Sequence, residues 1–414
     1  MPYGSRLSAT MARRLGRECV YTPSARLALY LALRRWCRPG ARLLMSPVTD
    51  DVILFVVLAA GLRPVLAPVS VRDGNIDPAA VPESVWRGVD AVLTTNLYGM
   101  PDRMEQLGRR CEQLGIRLFE DAAHAMGTHV AGRPIGTFGT AAAFSLSKHA
   151  GGKAGGFLAV ESARTRRELE ALRDDLLVPG RLGHDLATTL RPLARSAVRG
   201  CHLVSPVWRT MRRLGLLERD GYRMELRAPL LAACALEAPG LTAYEPWMRV
   251  DLHGFRNRHG LLVQAPLALR MARLDEGLAR RRAGVRLLSD TPWAAPGLRE
   301  RAVHDGALPL FRVPLLVHDR DVLIDRLVRH GVVTGYVFDP PLDDYAGSEF
   351  VDPSPDPSAA RWFASHVLPA DPLLAHSVVT ALTRARATEA AAPDLRAATS
   401  HDASRPAHRS PNSR

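Results

Sequence analysis

Residues 117–156 read RLFEDAAHAMGTHVAGRPIGTFGTAAAFSLSKHAGGKAGG and hold the densest set of chemically informative residues in the chain. One apolar run ends in Glu120 and Asp121, a glycine-rich loop follows, and a second apolar run leads to Lys148 before a cluster of glycines. Ligands of open parallel sheets bind at the carboxyl ends of the strands. The pattern therefore predicts a functional site where these two runs end.

The surrounding sequence, from about residue 20 to residue 160, predicts an α/β fold with a large, mostly parallel sheet. Helix-period segments alternate there with short runs rich in Val, Ile and Leu, which is typical of a sheet covered on both faces. The predicted strands are Leu43–Ser46, Pro64–Pro68, Ala91–Thr95, Arg117–Glu120, Ala142–Leu146 and Phe157–Val160. The predicted helices are Ala25–Trp36, Asp51–Ala60 and Met104–Leu114.

Composition excludes several classes of protein. With 414 residues, 47% apolar and 23% charged, the chain is neither collagen-like, coiled-coil nor wholly disordered, and its length predicts two to three domains. The net charge of +13 favours anionic ligands without naming one. Five cysteines without a C-x-x-C pair argue against a disulfide framework and a zinc site, so no metal site is predicted. The amino-terminal stretch lacks an apolar signal region, and the run 52–62 is too short to span a bilayer, which predicts a cytoplasmic protein.

Six regions are predicted from these shifts in pattern. A helix over 274–282, a strand over 311–317, a helix over 321–330 and a strand over 334–338 predict a second α/β unit. The tail is rich in Ala, Ser, Pro and Arg, so we expect it to be disordered. The regions are an N-terminal segment (1–19), a large domain (20–178), a basic helical insertion (179–250), connecting helices (251–282), a small C-terminal domain (283–386) and a tail (387–414).

The basic insertion has three interpretations. Residues 181–230 contain ten Arg and only four acidic residues, and apolar residues are interleaved with basic ones over 190–214. The pattern fits a solvated helix pair that packs on its own protein, or a peripheral helix on an anionic membrane or lipid-linked sugar. Nucleic-acid binding is the third, disfavoured because no aromatic platform or recognition motif accompanies the charge.

Several motifs, taken together and in order, resemble those of the DegT/StrS family of pyridoxal-phosphate (PLP) sugar aminotransferases. The chain reads LYGMP at 97–101, EDAAH at 120–124, GRPIGTFG at 132–139 and FS at 144–145, followed by Lys148 and a Gly-Gly pair at 155–156. Residues 273–282 are similar to the helix that opens the family's small domain. The resemblance covers about residues 20–382 apart from the insertion, and it implies the PLP-dependent transferase fold type I, with a smaller C-terminal α/β domain.

The resemblance implies two catalytic residues, which simple chemistry also suits. Lys148 corresponds to the lysine that binds the cofactor aldehyde and then moves the proton. Asp121 corresponds to the carboxylate that pairs with the pyridine nitrogen. Taken alone, a lysine beside glycines is more often an exposed loop residue, and an acid after a strand often caps a turn.

Further residues are implied to bind the cofactor. His124 corresponds to the partner of the phenolic oxygen, although a structural histidine is nearly as good an interpretation. Ser24, Ala25 and Arg26 stand where a predicted helix begins, with Ser24 as its N-cap, and correspond to the phosphate-binding segment. Ser145 corresponds to a hydroxyl ligand of the same phosphate, or else is a strand serine satisfied by backbone groups.

The chain departs from the family at five places, the first being the phosphate-binding segment, where Ala25 and Arg26 follow Ser24 in place of the usual Gly-Thr. Lys148 follows Ser145 by only three residues, which is a shorter spacing than the family has. Thr49 stands where many relatives have an aromatic residue that stacks on the cofactor, so stacking is lost or supplied elsewhere. Arg256 or Asn257 replaces the residue that reaches the partner subunit's cofactor, and the loop 337–343 lacks both family histidines.

The implied function is a PLP-dependent aminotransferase, acting as a homodimer, that aminates a keto sugar or a cyclitol ketone with Glu or Gln as donor. Among keto sugars, the resemblance favours those linked to a nucleotide. A PLP-dependent sugar dehydratase on the same scaffold is one alternative, although such relatives replace the lysine. A degenerate member with a regulatory or membrane-associated role is the other.

Overall fold

The structure is a computed structural model that describes residues 4–151, 154–180, 183, 185–186, 188–190, 222–249, 254–305 and 307–393. Most of the predicted helix pair over 190–214, together with Lys153 and residues 394–414, lies outside the described residues. Within them, no helix is both long enough and apolar enough to cross a membrane.

A seven-stranded sheet forms the centre of the N-terminal half. Its strands are β1 (Glu18–Thr22), β2 (Arg42–Met45), β3 (Arg63–Leu66), β4 (Ala91–Thr94), β5 (Arg117–Asp121), β8 (Ala141–Ser145) and β9 (Gly156–Val160). Their spatial order is β1-β9-β8-β5-β4-β2-β3. Strands β8, β5, β4, β2 and β3 pair in parallel, whereas β9 runs antiparallel to both β8 and β1. Strands β6 (His129–Val130) and β7 (Arg133–Pro134) form a separate hairpin.

Seven helices described between residues 4 and 180 connect or cover these strands. Helix α2 begins at Ala25 because the Ser24 hydroxyl accepts a hydrogen bond from the Leu27 N–H at 3.2 Å, which confirms the predicted N-cap. The helices are α1 (Ser5–Leu15), α2 (Ala25–Trp36), α3 (Asp51–Ala59), α4 (Glu83–Arg87), α5 (Met104–Leu114), α6 (Leu146–His149) and α7 (Ala163–Leu176).

Two hydrophobic clusters cover the two faces of the sheet. Neighbouring strand residues alternate between them: Leu118 belongs to one cluster and Phe119 to the other. Helices α2 and α3 pack on the Phe119 face, and α1 and α5 pack on the Leu118 face. The predicted fold class, α/β with a large and mostly parallel sheet, is therefore confirmed.

The C-terminal half carries a small antiparallel sheet and the remaining described helices. Strands β10 (Val313–Leu316) and β11 (Val367–Ala370) pair antiparallel. The helices are α8 (Ala228–Leu236), α9 (Glu245–Met248), α10 (Leu261–Ala272), α11 (Leu274–Ser289), α12 (Pro296–Asp305), α13 (Arg320–Arg329), α14 (Leu342–Tyr345), α15 (Ser358–His366) and α16 (Ala375–Arg384).

Two predictions for this half were wrong. The strand predicted over 334–338 is irregular backbone, in which Tyr336 has a φ of 69°, a left-handed conformation that interrupts an extended chain. The first residues of the predicted disordered tail are ordered by backbone hydrogen bonds: the Ala390 N–H donates to the Leu316 carbonyl and the His318 N–H donates to the Thr388 carbonyl. The predicted domain boundaries stay a prediction, although β1 is an edge strand of the large sheet and α1 packs on that sheet.

Candidate active site

Asp121 and Lys148 stand at the carboxyl ends of two adjacent parallel strands. Asp121 ends β5, which pairs with β8 in the register Asp121 to Ala143. Helix α6 starts directly after β8, so Lys148 lies only three residues beyond Ser145. The short spacing is thus accommodated by a helical turn, and the two residues lie at the same edge of the sheet, as predicted.

The Asp121 carboxylate is buried and short of compensating charge. It accepts one hydrogen bond, at 2.9 Å from the Ala123 N–H, and is 7% exposed. Burial raises the pKa of Asp121 to about 7, against the opposing effects of that hydrogen bond and of the Lys148 ammonium. A cationic group beside this carboxylate would restore its usual ionisation.

Glu120, by contrast, stabilises a neighbouring turn through hydrogen bonds to its backbone. Its Oε1 accepts hydrogen bonds from Phe138 N–H at 2.8 Å and Gly139 N–H at 2.7 Å, and its Oε2 accepts one from Gly136 N–H at 2.7 Å. A Cβ at Gly139 would lie 2.5 Å from the Leu118 carbonyl oxygen. The GRPIGTFG turn is therefore folded around the Glu120 carboxylate, next to Asp121.

The Lys148 side chain faces aromatic residues from the C-terminal half. Its Nζ lies 3.8 Å from the centre of the Tyr336 ring and 5.2 Å from that of Phe311. The Arg312 guanidinium covers the Phe311 ring at 4.4 Å and pairs with Asp371 at 3.0 Å. The lysine amine is thus held over aromatic faces, where a cation is stabilised.

His124 belongs to a column of four stacked rings. Its ring lies 4.8 Å from that of Phe311 and 6.4 Å from that of Tyr98, and Tyr98 in turn stacks on Phe338 at 5.8 Å. The Tyr98 hydroxyl donates to the Tyr336 carbonyl at 2.8 Å. Burial, followed by the Lys148 charge, lowers the pKa of His124 well below its usual value, so its imidazole is neutral.

The beginning of α2 lies beside the glycine pair that follows the lysine. A Cβ at Gly156 would lie 2.6 Å from both the Ala25 nitrogen and the Ser24 carbonyl carbon, so β9 passes the helix start at a distance that only glycine permits. Ser24 also donates from Oγ to the Phe255 carbonyl at 2.8 Å. On the next strand, Ser145 Oγ lies 2.8 Å from Ser147 Oγ.

Three predicted cofactor ligands have other partners in the structure. Arg26 donates a hydrogen bond to the Met248 carbonyl, and Arg256 pairs with Glu245 in α9. Thr49 is buried and its carbonyl accepts from Arg223 at 2.5 Å. The assignments of Arg26 and Arg256 to the cofactor stay predictions, and in the structure each guanidinium also binds the segment that packs on α2. Asn257 lies beside Arg256, where its N–H donates to the Gly254 carbonyl at 3.2 Å.

Four residues at this site were missed by the sequence analysis. Phe311 and Tyr336 supply the rings around Lys148, and Arg281 and Arg223 donate to backbone carbonyls of the site. Phe311, Tyr336 and Arg223 lie in no recognisable motif, whereas Arg281 lies in the stretch 273–282 that resembles the family's small-domain helix. Each is separated from Lys148 by more than 70 positions in the chain. The one available signal for Phe311 and Tyr336 was the absence of an aromatic residue at Thr49, which indicated that rings come from elsewhere.

The residues fit a bound PLP. A protonated pyridine nitrogen would supply a positive charge beside the buried Asp121 carboxylate, whose pKa burial raises, and a lysine amine lies at the same sheet edge. The start of α2 offers backbone N–H groups and the positive end of a helix dipole to a phosphate, with Gly156 beside it.

Comparisons with known proteins agree with this geometry. The model of the DegT/DnrJ/EryC1/StrS aminotransferase family matches residues 3–175. The chain is 30% identical over 151 residues to a UDP-N-acetyl-3-dehydro-alpha-D-glucosamine 3-aminotransferase of Acidithiobacillus ferrooxidans, covering 36% of this chain and 41% of that protein. It is 30% identical over 169 residues to an L-glutamine:2-deoxy-scyllo-inosose aminotransferase of Streptoalloteichus tenebrarius, covering 38% of each.

The alignments with these two relatives therefore span about two fifths of the relatives' length. Solved structures extend the likeness of fold to almost the whole chain. A DegT DnrJ EryC1 StrS aminotransferase from Brucella abortus matches with a TM-score of 0.63 at 17% identity, covering 93% of this chain and 90% of that one. E. coli GDP-4-keto-6-deoxy-D-mannose-3-dehydratase with bound hydrated PLP matches with a TM-score of 0.61 at 15% identity, covering 92% and 91%.

These structural matches confirm the fold, and the family match confirms PLP as the cofactor to be expected. The sheet, Asp121 and Lys148 all lie within the matched residues. The likeness to the DegT/DnrJ/EryC1/StrS aminotransferase family is therefore carried by residues 3–175.

Proposed function

We propose that this protein is a PLP-dependent aminotransferase that converts a keto sugar, or a cyclitol ketone, to the amino compound with Glu or Gln as donor. One observation carries the proposal: Lys148 and the buried Asp121 carboxylate, whose pKa is raised by burial, lie at the same edge of the sheet, as the family motifs predict. Its relatives are named for both kinds of acceptor, a nucleotide-linked keto sugar and a scyllo-inosose.

The proposed roles follow from the chain's own groups. Bound PLP supplies an aldehyde for the amine and an electron sink for the carbon that loses its proton. Lys148 takes that proton on Nζ and returns it to the neighbouring carbon. Asp121, in its ionised form, pairs with the pyridine nitrogen of the cofactor and keeps that nitrogen protonated. The start of α2, with Ser24 and Ala25, and the Ser145 hydroxyl bind the phosphate.

Retention of the lysine favours transamination over dehydration on the same scaffold. Family dehydratases replace this residue, whereas here Lys148 is one of only two lysines among 55 basic residues, the other being Lys153. The homodimer, the cytoplasmic location and a membrane contact through 190–214 stay predictions.

The small number of lysines makes the decisive experiment unusually clean. Protein loaded with PLP is reduced with borohydride, digested and mapped by mass spectrometry, for the wild type, Lys148→Ala and Lys153→Ala. We expect the adduct on Lys148 in the wild type and in Lys153→Ala, and no adduct in Lys148→Ala. An adduct on Lys153 alone, or on neither lysine, contradicts the assignment.

Addition of L-glutamate or L-glutamine to the loaded protein then tests the reaction. The visible absorbance should shift to that of the pyridoxamine form, and 2-oxoglutarate or its amide should appear in equal amount. Keto sugars and cyclitol ketones that restore the original spectrum identify the acceptor. A loaded protein whose spectrum neither donor changes contradicts the aminotransferase proposal and favours the degenerate alternative.

A further inference from the structure

The described part of the chain resumes within the basic insertion at Tyr222. Arg223, the next residue, donates three hydrogen bonds to backbone carbonyls: from Nη1 to Thr49 at 2.5 Å, from Nε to Pro340 at 2.9 Å and from Nη2 to Phe338 at 3.1 Å. Thr49 lies in the loop between strand β2 and helix α3. The other two acceptors, Phe338 and Pro340, lie in the 337–343 loop. One side chain therefore joins the two loops.

The residues on either side of Arg223 are tied in the same way. The Met224 N–H donates to Asp51 Oδ2 at 2.7 Å, and the Met224 carbonyl accepts from the Tyr345 hydroxyl at 2.8 Å. The Tyr222 hydroxyl donates to Asp321 Oδ1 at 2.6 Å. Segment 222–224 thus binds the N-terminal half through α3 and the C-terminal half through α13 and α14.

Arg223 also stands at one end of the ring column that contains His124. Its guanidinium carbon lies 5.7 Å from the centre of the Phe338 ring, which stacks on Tyr98 at an interplanar angle of 9°. Tyr98 is parallel to His124 within the same 9°. A series of stacked rings therefore connects the His124 imidazole to Phe338, whose carbonyl accepts a hydrogen bond from Arg223.

We propose that Arg223 is a positioning residue of the active site, supplied by the basic insertion, which fixes the 337–343 loop against Thr49 and, through Phe338 and Tyr98, fixes His124. The planar guanidinium suits this role because its N–H groups point in fixed and different directions. The inference rests on the proposed function, since it concerns the cofactor side of the same site. It also assigns a role to an insertion that no motif explained.

The test compares Arg223→Met with Arg227→Met, in protein loaded with PLP. Arg227 lies in the same segment, is exposed, and pairs with Glu225 rather than with a site loop. The readouts are the visible circular dichroism of the bound cofactor and the rate of the half-reaction with L-glutamate or L-glutamine. For Arg223→Met we expect altered dichroism and a rate about tenfold lower or more, because small displacements of positioned groups have effects of that size.

A merely structural role would lower the melting temperature and leave the cofactor signal unchanged well below it. If Arg223→Met does not fold, Arg223→Lys and Phe338→Leu replace it; each disturbs the connection to His124, and each should alter the dichroism while Arg227→Met does not. If the dichroism and the half-reaction rate of Arg223→Met stay within about twofold of those of Arg227→Met, this inference is wrong and the proposed function is unaffected. A wild-type protein that forms no adduct on Lys148 overturns both this inference and the proposed function.

Discussion

Arg281 donates a hydrogen bond from Nη2 to the backbone carbonyl of Lys148, at 3.2 Å. The Nη1 of the same buried guanidinium donates to the carbonyls of Leu310 at 3.3 Å and Phe311 at 3.1 Å. Helix α11 is thereby fixed both to the backbone of the candidate catalytic lysine and to the segment that places a ring beneath its amine.

We therefore expect Arg281→Met to lower the free energy of unfolding by about 3 kcal/mol, because three buried carbonyls lose a charged donor. Asp371, 3.6 Å from Arg281, also loses one of its two cationic neighbours. Urea unfolding measures the change. The neighbouring Arg280 is exposed, so Arg280→Met is the control and should cost less than about 0.5 kcal/mol. Equal costs for the two variants would show that these hydrogen bonds contribute nothing.

Asp121 should make the stability of the cofactor-free protein depend on pH. Its pKa is about 7 in the folded protein and near 3.8 when unfolded, so the folded state holds the proton more tightly. The free energy of unfolding contributed by this group therefore falls as the pH rises from about 4 to 7. Thermal melts of the wild type and Asp121→Asn across this range should show the two proteins diverging, with the variant relatively more stable at the higher pH.

PLP should reverse that trend in the wild type alone. A protonated pyridine nitrogen beside Asp121 favours the ionised carboxylate, so stabilisation by the cofactor should be larger for the wild type than for Asp121→Asn at pH 7. Parallel pH profiles for the two proteins, with and without PLP, would contradict the placement of Asp121 against the cofactor.

Glu120→Gln should weaken the turn beside the site although it preserves size and shape. Glutamine presents one oxygen and one NH₂ group to the three N–H donors of Gly136, Phe138 and Gly139, so at least one donor is left facing another. We expect a loss of about 2–3 kcal/mol in unfolding free energy, measured by urea titration. A neutral substitution would indicate that the turn does not depend on the carboxylate.

Gly156→Ala should damage phosphate binding more than general stability alone would explain. The new Cβ would lie 2.6 Å from backbone atoms of Ser24 and Ala25, so the start of α2 must shift. We expect weaker binding of PLP, measured by absorbance titration, together with a lower melting temperature. A Cβ at Gly277 in α11 would meet no atom within 4 Å, so Gly277→Ala is the matched control and should be neutral or stabilising by up to about 1 kcal/mol. Unchanged PLP affinity in Gly156→Ala would contradict the phosphate assignment.

The large sheet could be predicted closely because local signals agree there with the tertiary fold. Helix α2 has the predicted bounds, since Ser24 caps it, and helix α5 has them too, with Gly115 in the left-handed conformation at its end. The buried runs before Asp121 and Lys148 are short, apolar and unbroken, as parallel strands usually are.

The C-terminal half offered weaker signals. Strand β11 contains Pro369, which argues against a strand in sequence-based prediction, and it was missed. The apolar run 334–338 resembles a strand but bends at Tyr336. Asp121 and Lys148 were found through their motifs, whereas Phe311 and Tyr336 reach the site only through the packing of the two halves, which no local pattern encodes.

The ring column has a consequence for how the protein can be divided or recombined. Its rings are contributed by Tyr98, His124, Phe311 and Phe338, and its outer end is held by Arg223, so it joins segments from most of the chain's length. Such contacts of high sequence separation form only when distant parts of a polypeptide have already met. A chimera that joins residues 3–175 to the C-terminal half of another protein of this fold would keep Asp121 and Lys148 yet break this column, and would need a compatible ring and arginine from its new half to restore it.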